Sequence, residues 1–283
     1  MRVEDLDRNR VRPGLAEQIL EDLHWLGLDW DEGPDRGGPH APYEQWARLD
    51  RYAAAFARLR EAGRTYPCFC SRKDVAVAAS APQAPGDEVR YPGTCRDLDP
   101  GEGERRIAEG ARHAWRFRVD PGPPPAFTDL IHGPYGHDAA PPPGDFVVFR
   151  ADGVPAYQLA VVVDDAAMEI TEVVRGDDLL PSTVKQLLLF EALGLEPPAF
   201  AHVPLLLGPD GVRLSKRHRG VTMRELRAHG VTAQEIVGRL VHVLGLSSRP
   251  EALEARKLIG SFSIERIHPA PRGIEIDPAS WRT

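Results

Sequence analysis

An α/β fold with helical elements gathered towards the C-terminus is predicted from three observations. Stretches rich in β-branched and aromatic residues, DFVVFR and EITEVVRG among them, alternate with segments whose apolar residues recur at helical spacing. Glycines stand where several helical patterns end, and Thr residues followed three positions later by Glu or Gln stand where others begin. The 283 residues, 42% hydrophobic and 27% charged, suffice for one large domain, or for a main domain with a smaller appendage.

The elements follow in order. MRVEDLDRNR reads as the end of a strand running into acidic residues. LAEQILEDLHWLG places Leu15, Ile19, Leu23 and Leu26 on one helical face, with Gly27 as its terminator. YEQWARLDRYAAAFARLREAG aligns Trp46, Leu49, Ala53, Phe56 and Leu59 ahead of Gly63, and core packing is expected for both stripes. From Tyr66 to Cys95, a stretch rich in Pro, Ala and turn residues, the chain reads as an insertion more than as part of a regular sheet. PGPPPAF and APPPGD then bracket strand-like stretches, with Pro at edges and connections. DFVVFR, AYQLAVVVDD and EITEVVRG read as strands, and the run LAVVV predicts one buried on both faces. PSTVKQLLLFEALG is a predicted helix, with Thr183 and Gln186 at capping-box spacing and Gly194 near its end. AFAHVPLLLG reads as a buried strand. Thr222 and Glu225 repeat the capping-box spacing, TAQEIVGRLVHVLG predicts one more helix, and LEARKLIGSFSIERI looks helical.

Composition excludes several classes. No secretory segment and no run of eighteen apolar residues occurs, so a cytoplasmic protein with no membrane span is expected. A net charge of -7 argues against wholesale coating of nucleic acid and leaves room for a local basic patch.

Two clusters carry chemistry. Cys68, Cys70 and Cys95 fall in one short window, and an odd number of cysteines in a reducing compartment points to a metal site before a disulfide framework. Tyr91 is an available fourth ligand, although a phenol that titrates near 10 is an uncommon one. Three reduced cysteines without metal, or three thiolates completed by a histidine or water, fit the same spacing. The second cluster is RLSKR, following an apolar strand and a glycine turn. Its cations Arg213, Lys216 and Arg217, with Ser215, suit the charge of a triphosphate under attack at its α-phosphorus, while a solvated basic loop is the alternative.

RLSKR, comprising Arg213, Leu214, Ser215, Lys216 and Arg217, resembles the KMSKS signature of class I aminoacyl-tRNA synthetases. With RVEDLD, YQLAVVVDD, VVRGDDLL and AHVPLLL, the chain from Met1 to about residue 245 resembles the catalytic half of the glutamyl-tRNA synthetases. It is more similar to their truncated paralogues, the glutamyl-Q tRNA(Asp) synthetases: Val161 stands where the longer enzymes usually carry Asn, and the Cys-x-Cys, Tyr-x-x-x-Cys pattern is the paralogues' zinc arrangement.

The resemblance implies a Rossmann-like catalytic domain over residues 1–220 with a zinc-binding insertion at about 64–100. A short helical region over 221–283 leaves no room for a sizeable anticodon-binding domain. It implies that Glu4, Tyr157 and Arg175 contact L-glutamate, that Lys216 faces ATP with Arg213 beside it, and that one Zn2+ sits on Cys68, Cys70, Tyr91 and Cys95. The implied activity is glutamate activation by ATP with Mg2+, then transfer to queuosine in tRNA(Asp), by a monomer. Charging of a tRNA 3′ end is the alternative within the same chemistry. No HIGH-type motif precedes RVEDLD, so an incomplete ATP site, and with it a non-catalytic zinc-containing binding protein, is a further expectation.

Overall fold

The computed structural model describes residues 1–71, 73–75, 90–136, 143–214, 222–270, 272–277 and 280–281. Its main core is built by three helices, α2 (Leu49–Glu61), α4 (Tyr157–Ala167) and α5 (Leu180–Leu193), on short strands. Tyr52 and Leu59 of α2 meet Leu159, Ala160 and Val162 of α4 and Leu189, Phe190 and Leu193 of α5. Phe117, Phe146 and Val148 cover them from the strand side. Each fully buried side chain of this size contributes on the order of 1.5–3 kcal/mol.

Strand β1 (Thr65–Cys68) pairs antiparallel with β2 (Ala114–Phe117), and β2 with β5 (Phe146–Phe149). The expected insertion thus begins as a regular sheet strand, because Tyr66 and Cys68 alternate inward. Helix α3 (Pro100–Ala108) follows an Asp99 cap whose side chain accepts from the Glu102 amide. Strands β3 (Phe127–Asp129) and β4 (Gly133–Tyr135) form an antiparallel pair between the two proline-rich runs. Strands β6 (Glu172–Gly176) and β7 (Ala199–Val203) pair in parallel across α5, a βαβ arrangement.

AYQLAVVVDD is not a strand but α4. Every residue from Leu159 to Asp165 is buried, so an apolar run that suggests a doubly covered strand is a helix enclosed on all sides. Thr183 and Gln186 are not caps: α5 starts at Leu180 with a proline in its first turn, which leaves both inside the helix and buried. Gly194 does end it, in the left-handed conformation at φ 62°.

AFAHVPLLLG splits into β7 and β8 (Leu206–Leu207). The start of the chain makes one parallel bridge, Val3 to Glu44, where a strand is expected. Helix α1 (Leu15–Trp25) forms as expected but buries none of its residues; Leu15 and Ile19 are 39% and 50% exposed. In α2 the buried face is Tyr52, Ala55 and Leu59, while Trp46 and Ala53 are exposed. The reason is local: Gln45–Arg48 is a 3-10 turn, which puts Trp46 out of phase with the helix that follows.

Towards the C-terminus, α6 (Met223–Ala228) and α7 (Ala233–Val243) begin with complete capping boxes, Thr222 with Glu225 and Thr232 with Glu235. LEARKLIGSFSIERI is not an α-helix among the described residues; it contains 3-10 turns at Ala255–Leu258 and Ile264–Arg266. Strand β9 (Ile274–Glu275) then returns to pair in parallel with β8. Trp25 of α1 and Leu26, its C-cap, join Leu226, Ile236, Ile276 and Trp281 in one apolar cluster.

Candidate active site

Glu4, Tyr157 and Arg175 come from three distant stretches and act on one another electrostatically: both Glu4 and Arg175 perturb the Tyr157 phenol, and Glu4 acts on Arg175. Tyr157 opens α4 and is 39% exposed. Burial pushes its pKa up, opposed by Arg175. Arg175 lies on β6 and burial lowers its pKa, opposed by Tyr157 and the nearby acids. Its Nη2 donates to Thr183 Oγ1 at 2.7 Å and its Nε to His202 Nε2 at 3.1 Å, and its guanidinium lies 5.3 Å from the Phe200 ring centroid.

Glu4 is fixed by Arg2, whose Nη2 lies 3.0 Å from Glu4 Oε1 and whose Nη1 donates to Asp165 Oδ1 at 2.7 Å. Behind Arg2, fully buried Asp164 accepts from Arg48 Nε at 2.6 Å, Tyr52 at 2.8 Å and Gln45 at 2.9 Å. A carboxylate with three donors in a dry site ties the chain start, the 3-10 turn, α2 and α4 together. Asp165 is pushed up, above all by burial, with Arg2 opposing and the charges of Glu4 and Asp164 adding to the rise. Clefts occur elsewhere: one of about 260 Å³ is lined by Gln18, Glu21, Asp22, Arg224 and Arg227.

The contacts of Arg2, Arg48, Asp164, Asp165, Asp129 and His202, and of Thr183 with Arg175, are ones that sequence reasoning does not reach. The single available signal is the acidic pair closing AYQLAVVVDD, two charges at the end of an otherwise apolar run.

Of the signature loop, Ser215, Lys216 and Arg217 lie outside the described residues. Arg213 and Leu214 are described: Arg213 pairs with Asp178, just after β6, and the Leu214 amide donates to Leu206 O at 2.9 Å. The root of the loop is therefore anchored near the end of the strand that carries Arg175.

The sulfurs of Cys68, Cys70 and Cys95 all lie within 4.8 Å of one another, and none is in a disulfide. Cys70 Sγ is 3.6 Å from Cys95 Sγ, and the Tyr91 hydroxyl is 3.4 Å from Cys68 Sγ and 3.8 Å from Cys70 Sγ. Thiolates 2.3 Å from a tetrahedral zinc sit about 3.8 Å apart, so the three sulfurs could hold one ion, with the Tyr91 hydroxyl beside them. Burial pushes the Cys70 thiol up to about 11 and raises the Tyr91 phenol, so both protons must leave when a metal binds. Cys95 is held below its usual value despite burial, by hydrogen bonds from the Phe69 backbone and from its neighbours. Arg116 supports the cluster: Nε donates to Cys68 Sγ at 3.3 Å and the guanidinium covers the Tyr91 ring at 3.7 Å.

The family model for class I tRNA synthetases (E and Q), catalytic domain, matches residues 1–272. The chain belongs to this family. As a class I synthetase it is an enzyme of the ligase type. It is 54% identical to a glutamyl-Q tRNA(Asp) synthetase of Symbiobacterium thermophilum, over 96% of this chain and 84% of that one. It is 41% identical to glutamate–tRNA ligase 2 of Syntrophus aciditrophicus, over 99% of this chain and 58% of that one. The crystal structure of a glutamate–tRNA synthetase from Elizabethkingia anophelis superposes with a TM-score of 0.81 at 29% identity, covering 99% of this synthetase chain and 62% of its own. The chain thus spans most of the first of these relatives and less than two thirds of the other two.

Proposed function

We propose that the chain activates glutamate with ATP as glutamyl-adenylate and transfers the glutamyl group to tRNA, with queuosine of tRNA(Asp) as the acceptor. The observation that carries this reading is the convergence of Glu4, Tyr157 and Arg175, from positions far apart in the chain, on one half-open patch. A carboxylate there suits an α-ammonium, and a guanidinium with a phenol suits carboxylate oxygens. Identity of 54% to a protein named for the queuosine reaction favours that acceptor over a 3′ ribose.

In the first step a glutamate carboxylate oxygen attacks the α-phosphorus of ATP, the α–β anhydride bond breaks and pyrophosphate leaves with the electron pair. In the second a hydroxyl of the acceptor attacks the activated carbonyl, loses its proton to solvent, and AMP leaves. Glu4 and Arg175 hold the amino acid at both charged ends, so orientation is their contribution. Lys216 and Arg213 answer to the triphosphate, which travels with Mg2+.

A single Zn2+ on Cys68, Cys70, Tyr91 and Cys95 is part of the reading; bound, it supplies a structural crosslink between β1 and the 91–95 segment. The reading keeps residues 1–220 as the catalytic part, with the insertion at about 64–100, and 221–283 as a short C-terminal region. It places the protein in the cytoplasm as a monomer; among the described residues no helix is long and apolar enough to cross a membrane.

The test is glutamate-dependent exchange of pyrophosphate into ATP, followed by transfer assays with queuosine-bearing tRNA(Asp) and with tRNA(Glu). Exchange with glutamate, and label on the base of tRNA(Asp), are expected. Glutamate recovered on a 3′ ribose overturns the queuosine assignment, and no exchange overturns the activation itself.

A further inference from the structure

Behind Arg175 lies a buried relay of three side chains. Arg175 on β6 and His202 on β7 are direct partners in the parallel register, so their side chains leave the same face. His202 Nε2 faces Arg175 Nε at 3.1 Å, and His202 Nδ1 faces Asp129 Oδ2, on β3, at 2.6 Å. His202 and Asp129 are essentially without solvent exposure. Asp129 also accepts from the amides of Ile131 at 3.0 Å, His132 at 2.9 Å and His202 at 3.3 Å.

An arginine nitrogen can only donate, so His202 Nε2 must accept, and the ring proton must then sit on Nδ1, facing the carboxylate. An imidazolium would point a second donor at a guanidinium in a dry site. We propose that Asp129 and His202 are positioning residues for the amino-acid site. Asp129 fixes the Nδ1–H tautomer of His202, and His202 Nε2 with Thr183 Oγ1 fixes the plane of the Arg175 guanidinium by committing Nε and Nη2, so that the group meets a substrate carboxylate in one orientation.

Titration supports the same arrangement. Burial, joined by the charge of Arg175 and by His132, keeps His202 below its usual 6.5, against the pull of Asp129. Burial disfavours the charge of Asp129, yet its hydrogen bonds, led by the His132 amide, hold it below the ordinary carboxylate value. The pair is thus a neutral histidine on an ionised aspartate.

The inference rests on Arg175 as the glutamate-binding residue, and its test separates the two claims. In Asp129→Asn an amide that donates to His202 Nδ1 moves the ring proton to Nε2, where it opposes Arg175. Calorimetry of the full chain is expected to show glutamate Kd raised about 10–100-fold while ATP Kd changes less than about twofold, as loss of an aligned charged hydrogen bond predicts. His202→Gln, which can donate to Asp129 and accept from Arg175, is expected to keep most of the affinity. Nitrogen-15 NMR, with His202 assigned by that variant, should show Nδ1–H in the parent and Nε2–H in Asp129→Asn. An Nε2–H or imidazolium His202 in the parent overturns the relay. So does an Asp129→Asn chain whose glutamate affinity is unchanged, or falls together with that for ATP. A parent that binds no glutamate overturns the amino-acid assignment instead, and the tautomer then reports on the relay alone.

Discussion

Arg175 carries a guanidinium into a half-buried place where burial alone disfavours its charge. What makes the position tolerable is directional: Thr183, His202 and the Phe200 face each take part of the group. Lysine has the charge but not the fork, so Arg175→Lys should raise the glutamate KM by about 10–100-fold with little change in the ATP KM, read from pyrophosphate exchange. His202 gives a pH prediction. Its folded pKa lies below 6.5, so the unfolded chain binds the proton first, and stability falls as pH drops below 6.5 towards the folded value. Melting between pH 7 and 5 should show that fall, and His202→Gln should flatten it. Glu4, Tyr157 and Arg175 are legible only through the company of whole motifs, since a lone acid, phenol or guanidinium says nothing. Asp129 and His202 are not legible at all: 73 residues separate them, and what brings them together is the chain just after β3 hydrogen-bonding to β7, the Leu130 amide donating to Phe200 O at 2.8 Å.

At the level of elements, most of the signals that hold are read from backbone chemistry. The Thr222 box and the Gly194 terminator sit where the residues say, because a cap is satisfied within four positions of chain, whereas Thr183 and Gln186 carry the same spacing inside α5 and cap nothing. Thr232→Ala should lower stability by about 1 kcal/mol in denaturant titration. The signals that fail depend on what covers the element. LAVVV is β-branched and reads as strand, but packing by α2 and α5 outweighs a propensity of only tenths of a kcal/mol per residue. α1 has the periodicity of a core helix and an open face. Close approach is equally invisible in sequence: a Cβ on Gly238, within α7, would stand 1.8 Å from Glu251 O. Gly238→Ala should therefore cost about 1–3 kcal/mol or more, although alanine is the better helix former.

For the whole molecule, the zinc-site reading gives a bulk measurement. Purified protein should carry about one zinc per chain by elemental analysis, Cys70→Ser should lose it, and chelation should lower the Tm of the parent, since binding energy at a structural site is folding energy. The α/β class and the family were legible because several motifs stand in the right order. The return of the C-terminal stretch was not, since a two-residue strand leaves no periodicity to read. That return matters beyond its size. Leu206 and Leu207 bond on one side to Arg213 and Leu214, the root of the RLSKR loop, and on the other to Ile274 and Glu275. The root of the RLSKR loop is thus held by residues about sixty positions downstream. A protease nick, a fused tag or a proline near residue 275 should act on it like a slipped bearing: ATP turnover degrades first, while the amino-acid pocket and the melting curve still look sound.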